Sequence, residues 1–254
     1  MVRHVVKCSF TQVQGMLVEA SAAAALAITL AASPASALPQ EINAPVTKIF
    51  VPQGFDDNDN VEVIAQGYFP DTCYRVGHGK AEIDHEQRAV RLEVSAYRYP
   101  GQMCIQALTP FIVPIKVGLL QQGDYKVKVG GTEAQAVFSV DKAGTESPDQ
   151  YMYAPIGQAE IVSDSSDGSQ TLIVKGTYPH MFIGCAVMDE IRTYSSPSDV
   201  LVVLPILRVL DEKACPADYK NDFVVRKKLN EPFSGPGLLH VRVLNGNSLN
   251  RFIE

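Results

Sequence analysis

The sequence predicts an all-β chain of two tandem antiparallel β-sandwiches. Three observations predict it: apolar residues alternate with period two, turn-forming residues punctuate the alternation, and the landmarks of the first half return in the second. Composition permits such a fold. The 254 residues are 46% hydrophobic and 20% charged, with 16 Pro, 18 Gly and no Trp, which excludes disordered, collagenous and coiled-coil chains. A formal net charge of −6 argues against a phosphate-binding surface, so no nucleic-acid partner is expected.

Residues 1–37 read as a cleaved signal peptide. Arg3 and Lys7 precede an Ala-rich apolar run over 20–32, and Ser33-Pro34-Ala35-Ser36-Ala37 offers a small-x-small site cut after Ala37. A membrane anchor would need about 20 apolar residues, whereas this run is shorter and follows Glu19. The long gap after Lys7 leaves Met16 open as an alternative start. Either start predicts an exported product, periplasmic or secreted, with no membrane span after cleavage.

Cleavage removes Cys8 and leaves Cys73, Cys104, Cys185 and Cys215. An even number of cysteines in an exported chain reads as disulfides, here with three possible connectivities. Spacings of 31 and 30 residues favour one bond inside each half. Metal binding is the competing reading, and the absence of any C-x-x-C pair argues against it.

The duplication is legible landmark by landmark. Ala44-Pro45-Val46 followed by Lys48-Ile49-Phe50-Val51 is echoed by Ala154-Pro155-Ile156 followed by Ala159-Glu160-Ile161-Val162. Gly67-Tyr68-Phe69-Pro70 with Cys73 returns as Gly176-Thr177-Tyr178-Pro179 with Cys185, and Cys104 with Phe111 returns as Cys215 with Phe223. Tyr125-Lys126-Val127-Lys128-Val129 matches Leu239-His240-Val241-Arg242-Val243, and Phe138 is matched to Phe252. Offsets of about 109 to 114 throughout imply one module copied once.

Individual strands follow from the alternation. Val61, Val63 and Ala65 alternate with Glu62, Ile64 and Gln66, imperfectly because Ile64 is apolar. Val90, Leu92, Val94 and Ala96 alternate cleanly with Arg91, Glu93, Ser95 and Tyr97. Val127 and Val129 alternate with Lys126 and Lys128, and Val241 and Val243 with His240 and Arg242, which places those polar partners in water. Val200–Leu210 is apolar throughout, and Pro205 with its β-branched neighbours predicts a strand with an interruption. Turns are expected at Asn58-Asp59-Asn60, Gly77-His78-Gly79, Gln122-Gly123-Asp124, Asp167-Gly168 and Gly235-Pro236-Gly237. The predicted organisation is a signal peptide over 1–37, module 1 over 38–142, a linker over 143–153 and module 2 over 154–254.

Gly67-Tyr68-x-Pro70-x-x-Cys73-Tyr74, Cys104-x-Gln106-x-Leu108-x-Pro110-Phe111 and Leu120-x-x-Gly123-x-Tyr125-x-Val127-x-Val129 together resemble a module found in exported bacterial proteins without an assigned function. The resemblance covers about residues 44–140 and implies an immunoglobulin-like fold, so the full expectation is two tandem immunoglobulin-like antiparallel β-sandwiches with one intradomain disulfide each. The second copy keeps the cysteines and the last hairpin but lacks the Gln and Leu after Cys215. Missing Trp, and a Cys73 just beyond a strand, separate both copies from antibody-type domains. The pattern carries no catalytic residues.

Asp56-Asp57-Asn58-Asp59-Asn60 is the densest group of oxygen ligands, which makes Asp56, Asp57 and Asp59 the candidate metal ligands and Ca2+ the candidate ion. A solvated turn is the simpler reading, since Asp and Asn tolerate turn geometry. Otherwise no cofactor is expected. Candidate binding residues are Tyr97 and Tyr99, beside Arg98 and Pro100, and Tyr151 and Tyr153 at the joint, where the two tyrosines would equally serve to pack the modules. Arg226-Lys227-Lys228 is the only basic run, too short to specify a partner.

Catalysis would need a nucleophile, a base and an orienting group. The mature chain offers His78, His85, His180 and His240, no G-x-S-x-G and no H-E-x-x-H. Asp84 and His85 are strand neighbours pointing to opposite faces. The function expected is therefore a non-catalytic exported protein, acting in binding, adhesion or structure at the cell envelope or outside it, with a protein or envelope component as partner. Its alternatives are a secreted protease inhibitor, a periplasmic chaperone-like binder, or a hydrolase with an unrecognised site.

Overall fold

A period of two is compatible only with strands, and the computed structural model contains fifteen among the described residues, which are 38–253 without 147–148, 182 and 197–198. The expected signal peptide, 1–37, lies outside the described residues. In the first half the strands are β1 (Gln40–Asn43), β2 (Val46–Phe50), β3 (Val61–Phe69), β4 (Tyr74–Asp84), β5 (Ala89–Arg98), β6 (Thr109–Gly118), β7 (Gly123–Val129) and β8 (Gln135–Val140). In the second they are β9 (Ile156–Ser163), β10 (Gln170–Thr177), β11 (Cys185–Ser196), β12 (Val200–Leu210), β13 (Asp222–Lys228), β14 (Gly237–Val243) and β15 (Asn247–Ile253).

Each half is a sandwich. β2-β3-β6 faces a sheet in which β4 lines one edge of β5, while β1 and β7 share its other edge and β8 follows β7. The second half repeats this as β9-β10-β13 against β11-β12-β14-β15. The strand β1 shrinks there to one bridge, Tyr153 with Ile206; Ala154 N–H donates to the Pro205 carbonyl at 2.7 Å as Ala44 N–H does to Val94 at 2.8 Å. One pairing in each half, β5 with β7 and β12 with β14, is parallel within otherwise antiparallel sheets. The connection runs through β6 or β13 in the opposite sheet, so two reversals bring the chain back in its original direction.

The copies also agree atom by atom. A Cβ on Gly67 would lie 2.1 Å from the Pro45 carbonyl oxygen and 2.6 Å from the Phe111 ring, and one on Gly176 would lie 2.1 Å from Pro155 and 2.7 Å from Phe223. Only glycine lets the aromatic ring cross the strand there. Phe69 stacks on Phe111 and Tyr178 on Phe223, both at 4.3 Å. Disulfides join Cys73 to Cys104 and Cys185 to Cys215. Each ties the start of β4 or β11 to the loop after β5 or β12, at the end of the sandwich rather than through its core.

Val63, Leu92, Val113 and Tyr125 belong to the first core, and Leu172, Val203, Leu239 and Val241 to the second. A third apolar cluster joins the halves: Phe50 and Ile64 of the β2-β3-β6 sheet meet Val200, Val202, Leu204, Ile206 and Leu238 of the larger second sheet. This layer explains why β3 and β12 are buried on both faces. It also corrects three sequence readings; a fourth, the turn expected at Gly77-His78-Gly79, falls inside β4, whose pairing with β5 shifts register between Val76 and Gly79. His240 and Arg242 alternate with core residues as expected, but their face is covered by the other half rather than by water. β12 runs without a break through Pro205, whose parallel partner β14 pairs only as far as Val203. Phe252 is not the counterpart of Phe138: it pairs with Leu238 and packs at the junction, 6.3 Å from Phe50, while Phe138 stacks on Tyr125 inside the first core.

Candidate functional site

Burial between the two halves leaves polar groups that must find partners inside the protein. At the centre is Arg242, only 7% exposed, on β14. Its guanidinium donates to Asp59 Oδ2 at 3.3 Å and to the Gly54 carbonyl at 2.5 Å, and sits 4.4 Å above the Phe55 ring. Burial alone would lower its pKa; the nearby Tyr153, Asp59 and Tyr194 more than offset this, and the net shift is upward, so it remains charged.

The acidic turn is therefore a clasp. Asp59 Oδ2 also accepts the Asp56 N–H at 3.2 Å, Asp56 Oδ1 accepts the Asn58 N–H at 3.2 Å, and Asp57 Oδ1 accepts the Ala143 N–H at 2.8 Å. Asp59 Oδ1 takes the Asp149 N–H at 3.3 Å, so the turn holds the connecting segment as well as Arg242. Burial raises the pKa of Asp56 and of Asp149, with neighbouring carboxylates adding to the effect. Among the described residues, the only three His, Cys, Asp or Glu side chains with ligand atoms within 4.8 Å of one another are Asp71, Cys73 and Cys104, and the two cysteines are already joined as a disulfide.

A second network lies beside the clasp. Glu62 Oε1 accepts from Ser248 Oγ at 2.5 Å and from Asn250 Nδ2 at 2.8 Å. That leaves Asn250 Oδ1 facing His240 Nδ1 at 2.8 Å, which requires the proton on Nδ1. Nε2 is then a lone pair with no partner among the described residues, shielded from solvent in a residue 1% exposed. Burial pulls the His240 pKa down to about 4. A cleft of about 610 Å³ opens over these groups, with Asp149, Tyr151, Met152 and Asn247 on its walls.

Of the nominated tyrosines, Tyr153 is buried in the apolar junction and Tyr151 packs against it, its hydroxyl accepting from Arg192 at 2.8 Å. Tyr97 and Tyr99 are half-buried, with Tyr97 paired to Glu41 on β1 and Arg75 on β4. His78 Nδ1 approaches Ser95 Oγ at 3.1 Å and Glu41 at 3.6 Å. A Ser–His–Glu relay would need these partners on opposite ring nitrogens; here both face the same one, so the relay cannot operate.

One feature was not nominated. The loop over 99–108 is anchored by the Cys73–Cys104 bond, by Thr72 N–H to the Ile105 carbonyl at 3.1 Å, and by Ile105 N–H to Thr72 Oγ1 at 3.0 Å. These bonds fix the Ile105 backbone while Met103 is 99%, Ile105 68% and Leu108 74% exposed. The signal was present in the sequence: no charged residue occurs over 99–115. The equivalent loop of the second half carries Asp211, Glu212, Lys213, Asp218 and Lys220, so the disulfide itself does not require apolar neighbours.

No helix among the described residues is long and apolar enough to cross a membrane. No curated protein and no solved structure matches the chain. Residues 63–140, which begin in β3 and end with β8, match the family described as the ORF11 beta-sandwich domain, so the likeness falls in the half that carries the apolar loop.

Proposed function

We propose that the chain is an exported, non-catalytic binding protein of the cell envelope or exterior, in which two welded sandwiches present a fixed recognition loop to a protein or envelope component. The observation that carries this reading is the clamped loop with Met103, Ile105 and Leu108 held outward, because bulky apolar side chains kept in water by covalent and backbone restraints mark an interaction surface. The two disulfides support an oxidising compartment. The junction cleft supports a structural role, since Asp59, Arg242 and Glu62 already bind other parts of the chain.

Two measurements test the proposal. N-terminal sequencing of protein from fractionated cells should find Leu38 as the first residue outside the cytosol; a cytosolic product retaining 1–37 would refute export. A photo-crosslinker at Ile105 should form envelope adducts that one at Lys213 does not, and equal labelling from both positions would remove the loop from the account.

A further inference from the structure

We propose that the clamped loop of the first sandwich docks on a phospholipid surface, a reading that rests on the binding role above and names the partner. The side chains at this end are graded as a bilayer interface is graded. Met103, Ile105 and Leu108 form an uncharged apolar tip, and the register of β1 against β5, Gln40 opposite Arg98, puts the exposed Leu38 at the same end of the sheet. Behind the tip come Tyr97 and Tyr99, whose amphipathic rings suit the headgroup layer. Beside them lie two exposed arginines. Arg75 donates to the carbonyls of Thr72 and Tyr74 at 3.0 and 2.8 Å, which places its charge within the clamp, and Arg98 lies 6.0 Å from the Tyr74 ring.

Charge complementarity favours lipid over a protein groove. Of the nearby acids, Asp71 Oδ1 accepts the Cys73 N–H at 2.8 Å, while Glu41 stands half-exposed 3.6 Å from His78 Nδ1. Against the half-exposed Glu41, this end of an otherwise acidic chain offers two exposed guanidinium groups. Apolar insertion supplies attraction independent of lipid charge, and the arginines add a term that depends on anionic headgroups and weakens with salt. The equivalent loop of the second sandwich carries Asp211, Glu212, Lys213, Asp218 and Lys220 in place of an uncharged tip.

The test is flotation of the purified, oxidised protein with vesicles of phosphatidylcholine alone and of phosphatidylcholine with phosphatidylglycerol. Association should be stronger with the mixed vesicles and fall as salt is raised. The combined variant Met103→Asp, Ile105→Asp and Leu108→Asp should lower partitioning by about tenfold or more; Arg75→Gln with Arg98→Gln should lower it several-fold on mixed vesicles only. Lys213→Asp should change nothing. These positions are exposed, so an unchanged melting curve will show that the variants fold. No flotation of folded wild type, or flotation indifferent to the triple substitution, overturns the proposal. So does a triple variant that instead loses a dimer or a 1:1 protein complex; that result would leave the broader binding role standing with a protein as partner.

Discussion

Arg242 and Asp59 meet largely buried from solvent, so neither charge can be lost alone without leaving the other without its ion-pair partner. Arg242→Met should cost about 3 to 5 kcal/mol in urea unfolding, and combining it with Asp59→Asn should recover part of that loss. His240 adds a pH dependence. Its pKa is about 4 when folded against 6.5 for the ordinary side chain, so as pH falls the unfolded chain takes up the proton first. The stabilisation is complete above about pH 6.5 and is lost progressively towards pH 4, with a limit on the order of 3 kcal/mol. Asp56 and Asp149, whose pKa values burial raises, act in the opposite sense, because the folded state holds their protons more tightly. The slope between pH 7 and pH 5 should therefore be compared with that of His240→Gln, which flattens only the histidine's share; parallel curves would contradict the buried neutral imidazole. None of this was visible in the alternation of β14, which fixes that His240 and Arg242 share a face but says nothing of what covers it.

At the scale of the element, Gly67 and Gly176 are required by close approach, since both lack room for a methyl group against a carbonyl and an aromatic ring. Gly67→Ala and Gly176→Ala should each destabilise by more than the usual cost of a surface change, by about 1 to 3 kcal/mol in chemical denaturation, and by comparable amounts if the copies are equivalent. Each disulfide closes a loop of similar length, so removing either pair by Cys→Ala should cost about 3 to 4 kcal/mol. The first removal should also free the 99–108 loop, read as increased proteolysis near Met103, whereas the second should leave that loop protected. Strand positions were readable because a half-buried strand must alternate. The unbroken β12 was harder, because burial on both faces erases the alternation from which a strand is recognised.

For the whole molecule, the third apolar cluster should make the two sandwiches unfold as one. A single thermal transition is expected, and Ile64→Asp or Val202→Asp, each placing a charge in that layer, should split it in two by calorimetry. Polar contacts at the same interface fix its registry: Lys48 with Asp199 at 2.7 Å, Tyr194 Oη to the Gln53 carbonyl at 2.8 Å, and Lys116 with Asn247 at 3.2 Å. If the halves still melt together after those substitutions, cohesion must come from the clasp at Arg242 rather than from apolar burial.

By itself the sequence determined most of the strands and the duplication, and it favoured the pairing of Cys73 with Cys104 and Cys185 with Cys215 that the structure shows, because a period of two, a repeated order of landmarks and similar loop spacings are local or one-dimensional properties. Only the tertiary structure decided that Asp56, Asp57 and Asp59 face backbone amides and an arginine, that Tyr153 lies inside the junction, and that Met103, Ile105 and Leu108 do not fold back onto the sheet. Those outcomes depend on which surface meets which in three dimensions, and an apolar residue reads the same in the chain whether another layer covers it or water does.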